Sequence, residues 1–153
     1  MPGSLMTNLS MGNLYVHNVP HSLRTLDQFV LWKMIGEGKK IPCCEQGFPV
    51  GYAHEPSWKS FKQASSIADG VDDIGLGFSL KKDGTHLKRN GVTWNLCVFD
   101  FDGFFYDGDP FELDENVDEF LDELKTYVEI SPSCTGFKTF FWTDKEQAKK
   151  SKV

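Results

Sequence analysis

Trp94-Asn95-Leu96-Cys97-Val98-Phe99-Asp100-Phe101-Asp102 is the stretch on which the reading of this chain turns. Aromatic and aliphatic residues dominate it, and four apolar residues in a row (Leu96, Cys97, Val98, Phe99) mark a buried strand. Two carboxylates then close it. Residues at i and i+2 of a strand point to one face. Asp100 and Asp102 therefore share a face, ~6–7 Å apart by strand rise, at the carboxyl end of the most apolar strand in the sequence.

Reading outward toward the N-terminus, residues 81–91 are charged and hold two tight-turn pairs, Asp83-Gly84 and Asn90-Gly91. Ile74-Gly75-Leu76-Gly77-Phe78-Ser79-Leu80 alternates and predicts a strand. Trp58, Phe61, Ser65 and Ala68 fall on one helical face, so a helix is expected over 58–68, capped by Ser57 and ended by Gly70. Residues 45–56, with two Gly and two Pro, read as a loop. Lys39-Lys40-Ile41-Pro42 reads as an extended piece. Phe29-Val30-Leu31-Trp32 is a short apolar run whose period fits a buried strand or a helix segment equally.

Toward the C-terminus, Val117, Phe120, Leu121 and Leu124 predict an amphipathic helix, capped by Asp114 or Asn116. Strands are expected over 127–130 and 137–142, joined as a hairpin through Ser131-Pro132-Ser133 and Gly136. The mixture predicts an α/β (α+β) fold: one mixed β-sheet with helices packed on it. Residues 1–4 read as a cloning scar, 5–144 as a single domain and 145–153 as a basic tail.

The 153 residues include 13 Phe and 4 Trp, with 40% hydrophobic and 25% charged residues. That is the balance of a folded globular chain and excludes a disordered one. No apolar run approaches the ~20 residues of a membrane span, and no signal-peptide pattern opens the chain. A cytoplasmic protein is expected, with Cys43, Cys44, Cys97 and Cys134 as reduced thiols. Those cysteines and the four histidines lack zinc-ligand spacing.

A net charge of −6 argues against a plain nucleic-acid binder. The average conceals a division. Half of the 22 acidic residues lie between Asp100 and Glu123, where there is no Lys or Arg. The remainder of the chain carries a net +5. Most of the acidic segment reads as a solvated helix face. Asp100 and Asp102 stand apart, because paired carboxylates on a strand end suit a shared divalent cation. Ser131-Pro132-Ser133-Cys134-Thr135-Gly136 ends a neighbouring strand with three hydroxyls and a glycine turn, suited to wrapping a phosphate. Lys138 follows as a cation.

Val98-Phe99-Asp100-Phe101-Asp102-Gly103 resembles the first motif of haloacid-dehalogenase-type phosphatases, in which the first Asp is the nucleophile and the second a general acid/base. A broader resemblance covers residues 29–142. Phe29-Val30-Leu31-Trp32-Lys33, Lys39-Lys40-Ile41-Pro42, the stretch from Pro56 to Ala64, Ile74-Gly75-Leu76-Gly77-Phe78, Asp100-Phe101-Asp102 and Tyr127-Val128-Glu129-Ile130-Ser131-Pro132-Ser133 with Gly136 follow in an order similar to the N-terminal part of phage- and plasmid-type primase-polymerases, of the archaeo-eukaryotic primase superfamily. The resemblance implies a DNA primase and polymerase core of a phage or mobile-element replication protein. Asp100 and Asp102 would bind Mg²⁺ or Mn²⁺ as catalytic residues. Ser131, Ser133, Gly136 and Lys138, with Lys40, would hold a nucleoside triphosphate, and a DNA template would be the partner. Cys134 stands where the family has a first Gly, and Lys138 where it has His or another basic residue. The family's third motif, a further metal-binding Asp, has no counterpart before Val153. The expectation is thus a half-site: a chain truncated before that motif, a degenerate remnant, or a small protein that kept the fold for binding. A non-catalytic nucleic-acid or protein-binding module on the same fold is the alternative, with the phosphatase as a second.

Overall fold

A computed structural model describes residues 18–36, 39–51, 54–103, 115–131 and 136–145. The chain divides into two compact units, Met1–Lys82 and Asp83–Val153. Each contains its own antiparallel sheet, and the fold is α+β.

The first unit opens with a short helix, α1 (His21–Arg24), and then pairs three strands in the order β2 (Lys39–Cys43), β1 (Phe29–Ile35), β3 (Ile74–Phe78). The Phe29 run is thus a strand. Its centre is buried, and its neighbours on both sides run antiparallel to it. Phe29 meets Phe61 and Phe78 edge-on at 5.2 and 5.1 Å. This seats α2 (Phe61–Gly70) on the sheet. Ala64 and Ala68, both buried, let the helix approach closely.

The helix begins later than its apolar spacing suggests. Ser60, not Ser57, is the cap. Its hydroxyl accepts from the Gln63 N–H while the Gln63 side chain accepts from the Ser60 N–H, a reciprocal capping box. Trp58 lies outside the helix because Lys59 exchanges both backbone hydrogen bonds with Phe29, which holds that segment extended.

On the far side of β1, the Trp32 ring lies across Gly75 and donates its indole N–H to the Leu76 carbonyl at 2.9 Å. Burial pushes the Cys43 thiol above the usual thiol range; the nearby Lys33 ammonium opposes this and Cys44 adds to it.

The second unit pairs four strands in the order β4 (His86–Arg89), β5 (Val92–Asp102), β7 (Gly136–Thr143), β6 (Tyr127–Ile130). Asn90 and Gly91 join β4 to β5 with φ of 51° and 76°. Two positive φ values in a two-residue loop make the type I′ hairpin that an Asn-Gly pair favours. The predicted 127–142 hairpin is present as β6 and β7.

A polar tie secures the base of this sheet. The amide of Asn95, a buried side chain, donates to the Lys145 carbonyl at 2.7 Å. Its oxygen is left facing His86 Nδ1 at 2.6 Å. The third helix, α3 (Glu115–Leu124), covers one face: Val117 and Phe137 are buried there, with Phe101, Leu121 and Val128 packed around them. Asn116 lies within this helix and so does not cap it; Asp114 falls outside the described residues.

One mixed sheet is therefore corrected to two antiparallel sheets. The reason lies in the connections. Only a few residues separate β1 from β2, β4 from β5 and β6 from β7, too few for the crossover that parallel neighbours need. Of the two connections through a ten-residue helix, α2 returns β3 antiparallel to β1, and α3 leads to β6, which pairs antiparallel with β7 and not with β5. No helix among the described residues is long and apolar enough to cross a membrane.

Candidate functional site at one end of the second sheet

The carboxyl end of β5 has two unlike faces. Phe99 and Phe101 point to the helix side, where Phe101 stacks on Phe137 at 4.7 Å and also meets Phe120, and Phe99 meets Phe141 at 5.0 Å. This aromatic layer fixes the strand. Asp100 and Asp102 lie on the opposite face by alternation, and both are exposed. The packing on one side thus sets the direction of the carboxylates on the other.

Pairing with β7 decides what stands beside them. Asp100 is opposite Lys138, and Asp102 is opposite Gly136. The Lys138 ammonium lies 2.5 Å from Asp100 Oδ1. The Asp100 side chain keeps 53% of its surface, so the pair contributes no more than about 1 kcal/mol to stability. On its other side Lys138 pairs in register with Glu129 of β6. Asp100, Lys138 and Glu129 therefore form a row across three strands, a negative, a positive and a negative group, with Asp102 one step further along the same face.

Ser131 closes the end of the β6–β7 hairpin. Its N–H donates to the Gly136 carbonyl at 2.8 Å, and its hydroxyl oxygen accepts from the Gly136 N–H at 3.2 Å. Gly136 has a steric reason to be glycine: a Cβ there would fall 2.1 Å from the Phe101 carbonyl oxygen. Ser133 lies outside the described residues. Lys40 belongs to the first unit, on β2, where its ammonium sits 5.6 Å from the centre of the Trp32 ring. The second sheet thus brings Asp100, Asp102, Ser131, Gly136 and Lys138 together at one end from its own strands.

The donor set fits one kind of divalent cation. Two exposed carboxylates on one face supply hard oxygen ligands, and an ammonium already stands against one of them as a cation. Among the described residues no three His, Cys, Asp or Glu side chains converge as a metal cage. Mg²⁺ commonly binds through one or two carboxylates, completing its shell with water and substrate phosphates. Asp100 and Asp102 suit that mode and do not suit a closed structural site.

Glu129 is the member that motif reading missed. Alternation along Tyr127-Val128-Glu129-Ile130 places it opposite in face to Val128, which signals an outward carboxylate. Only the register with β7 sets it beside Lys138. No protein-family model matches the chain, and no curated protein matches it.

Proposed function

We propose that the second unit carries a site for a divalent metal and a nucleoside triphosphate, and that the chain is a primase-polymerase-like domain of a phage or mobile-element replication protein. It would work on a DNA template in the cytoplasm. The observation that carries the reading is the β5–β7 register. Two segments far apart in sequence, one suited to metal and the other to phosphate, lie side by side at one end of a sheet.

In this reading Asp100 and Asp102 hold Mg²⁺ or Mn²⁺ together with the phosphates. Lys138 supplies a positive charge to the same phosphates as a compact point charge. The bound metal would stabilise the attacking and leaving oxygens of nucleotidyl transfer. The carboxylates themselves orient the metal and do no proton transfer. Full transfer calls for one more acidic ligand than Asp100 and Asp102 provide.

A non-catalytic binding module on the same fold is the second reading, and one observation favours it. Lys138 neutralises Asp100 and the Phe101 carbonyl demands Gly136, so both features have a structural reason without any ligand. The phosphatase reading gains less, because the carboxylate that would attack is held in that same ion pair.

Thermal unfolding with Mn²⁺, with and without a nucleoside triphosphate, separates these readings. A ligand bound only by the folded state at about 100 times its Kd adds about 2.7 kcal/mol, a rise of about 5–10 °C for a chain of this size. The expected result is a joint metal-plus-nucleotide rise in the wild type that disappears in Asp100→Asn with Asp102→Asn. No rise in either protein sinks the nucleotide site. Hydrolysis of a phosphate ester that is lost in Asp100→Asn would install the phosphatase in its place.

A further inference from the structure

Lys138 faces a carboxylate on each side: Asp100 on β5, in contact at 2.5 Å, and Glu129 on β6, in register. Resting on the metal-and-triphosphate reading above, we propose that Lys138 is an exchangeable counter-ion that couples the two ligands of this site. The ammonium holds the metal position on Asp100 while the site is empty of metal, and moves to the phosphates when a divalent cation takes that position.

The row of Asp100, Asp102, Glu129 and Lys138 has a net charge of −2. Two negative groups on one strand face repel each other, and the ammonium relieves this at Asp100. A divalent cation on Asp100 competes with the ammonium that lies 2.5 Å from Oδ1. At such separations like charges repel, less strongly where water screens them. In the proposed exchange Lys138 leaves Oδ1 as the metal takes it. Both ends of the exchange are accessible: the Lys138 side chain keeps 33% of its surface and Asp100 keeps 53%. A lysine stem has four rotatable bonds, and an exposed ion pair of this kind is weakly held. Once displaced, the ammonium stays on the carboxylate face of β7, where Glu129 retains it beside the site. A polyphosphate bound at the same end gives it a new partner.

Coupling follows by linkage. Metal alone breaks the Asp100–Lys138 pair and leaves the ammonium only Glu129, which the register already sets beside it. Metal with polyphosphate breaks the pair and makes a new one. Each ligand then strengthens the other by the same factor, as binding equilibria require. The lysine thus makes the site respond to the metal–polyphosphate pair and discriminate against free metal.

The test is Mn²⁺ binding, read from the loss of the free-ion electron paramagnetic resonance signal, with and without inorganic triphosphate. Direct binding of Mn²⁺ to triphosphate is subtracted from a protein-free titration. Wild type, Lys138→Gln, Lys138→Arg and Asp100→Asn are compared after circular dichroism establishes that each is folded. Lys138→Gln should bind Mn²⁺ alone about fivefold more tightly than wild type and should lose the strengthening by triphosphate. Lys138→Arg should keep the wild-type order of affinities, and Asp100→Asn should lose Mn²⁺ in both conditions. If wild type binds Mn²⁺ with triphosphate but Lys138→Gln binds Mn²⁺ alone no more tightly than wild type, the exchange is refuted and the site stands. If no protein binds Mn²⁺ in either condition, the exchange and the reading beneath it fall together.

Discussion

Gly75 and Gly136 are both strand glycines whose missing Cβ position is occupied, and the occupants differ. Over Gly75, in the first sheet, lies the Trp32 ring, with atoms 2.1–2.7 Å from where a Cβ would stand. Against Gly136, in the second, lies the backbone of the neighbouring strand, with the Phe101 carbonyl oxygen at 2.1 Å and Asp102 Cα at 3.1 Å. One glycine makes room for a side chain and the other for a strand. A side chain can turn away, at the loss of its packing and hydrogen bond. Paired backbone cannot turn away: the Phe101–Asp102 end of β5 is hydrogen-bonded to β7 and can move only by breaking that ladder. The same sequence feature thus serves a local fit in one sheet and the alignment of the candidate site in the other.

The largest effect is therefore expected for Gly136→Ala. The clash is with backbone, so the substitution should destabilise the protein by about 3 kcal/mol in urea unfolding. It should also disturb the Asp102 region that the β5–β7 pairing fixes. A loss below about 1 kcal/mol would show that the strands yield locally, and the contrast between the two glycines would collapse.

Gly75→Ala should cost less, about 2 kcal/mol, because Trp32 can rotate. Its tryptophan fluorescence should shift toward that of an exposed indole, as the bond to the Leu76 carbonyl is lost. The comparison sharpens in a Trp32→Leu background. There the Gly75→Ala penalty should shrink markedly, since residues in contact are not additive. No equivalent side-chain replacement should relieve Gly136→Ala.

The smallest effect belongs to β7 a few residues further on. The Thr139 hydroxyl is buried and has no hydrogen-bond partner among the described residues. Thr139→Val removes that unsatisfied group at nearly constant shape and should stabilise the protein by about 1 kcal/mol, seen as a higher urea midpoint with unchanged slope. A destabilisation would mean that the hydroxyl has a partner, and that the second sheet carries no such internal cost.

Most elements were legible in the chain. The Leu96, Cys97, Val98, Phe99 run announced β5, Asn90-Gly91 announced its hairpin, and the spacing of Val117, Phe120, Leu121 and Leu124 announced α3. These are local signals, governed by backbone conformation and by the period of apolar side chains. The start of α2 is not legible in this way: Trp58 and Phe61 share a helical spacing, while the capping box at Ser60 and the pairing of Lys59 with Phe29 act against it. Tertiary pairing overrode an apolar spacing. The Asn95 tie to His86 and Lys145 left no sequence signal, because a buried amide resembles any other asparagine until its partners are known.

Composition and periodicity are enough to say that this chain folds, that strands and helices mix, and that Asp100 and Asp102 share one face at a strand end. Each of these follows from composition or from a period of two or 3.6 residues, and each is encoded within a few neighbours. Strand pairing sets the rest: two antiparallel sheets, Lys138 against Asp100 with Glu129 beyond it, and a Gly136 that the strand beside it requires. Register joins residues distant along the chain. A slip of one residue would turn every side chain of β7 to the other face, and aromatic packing beneath α3 is what prevents it.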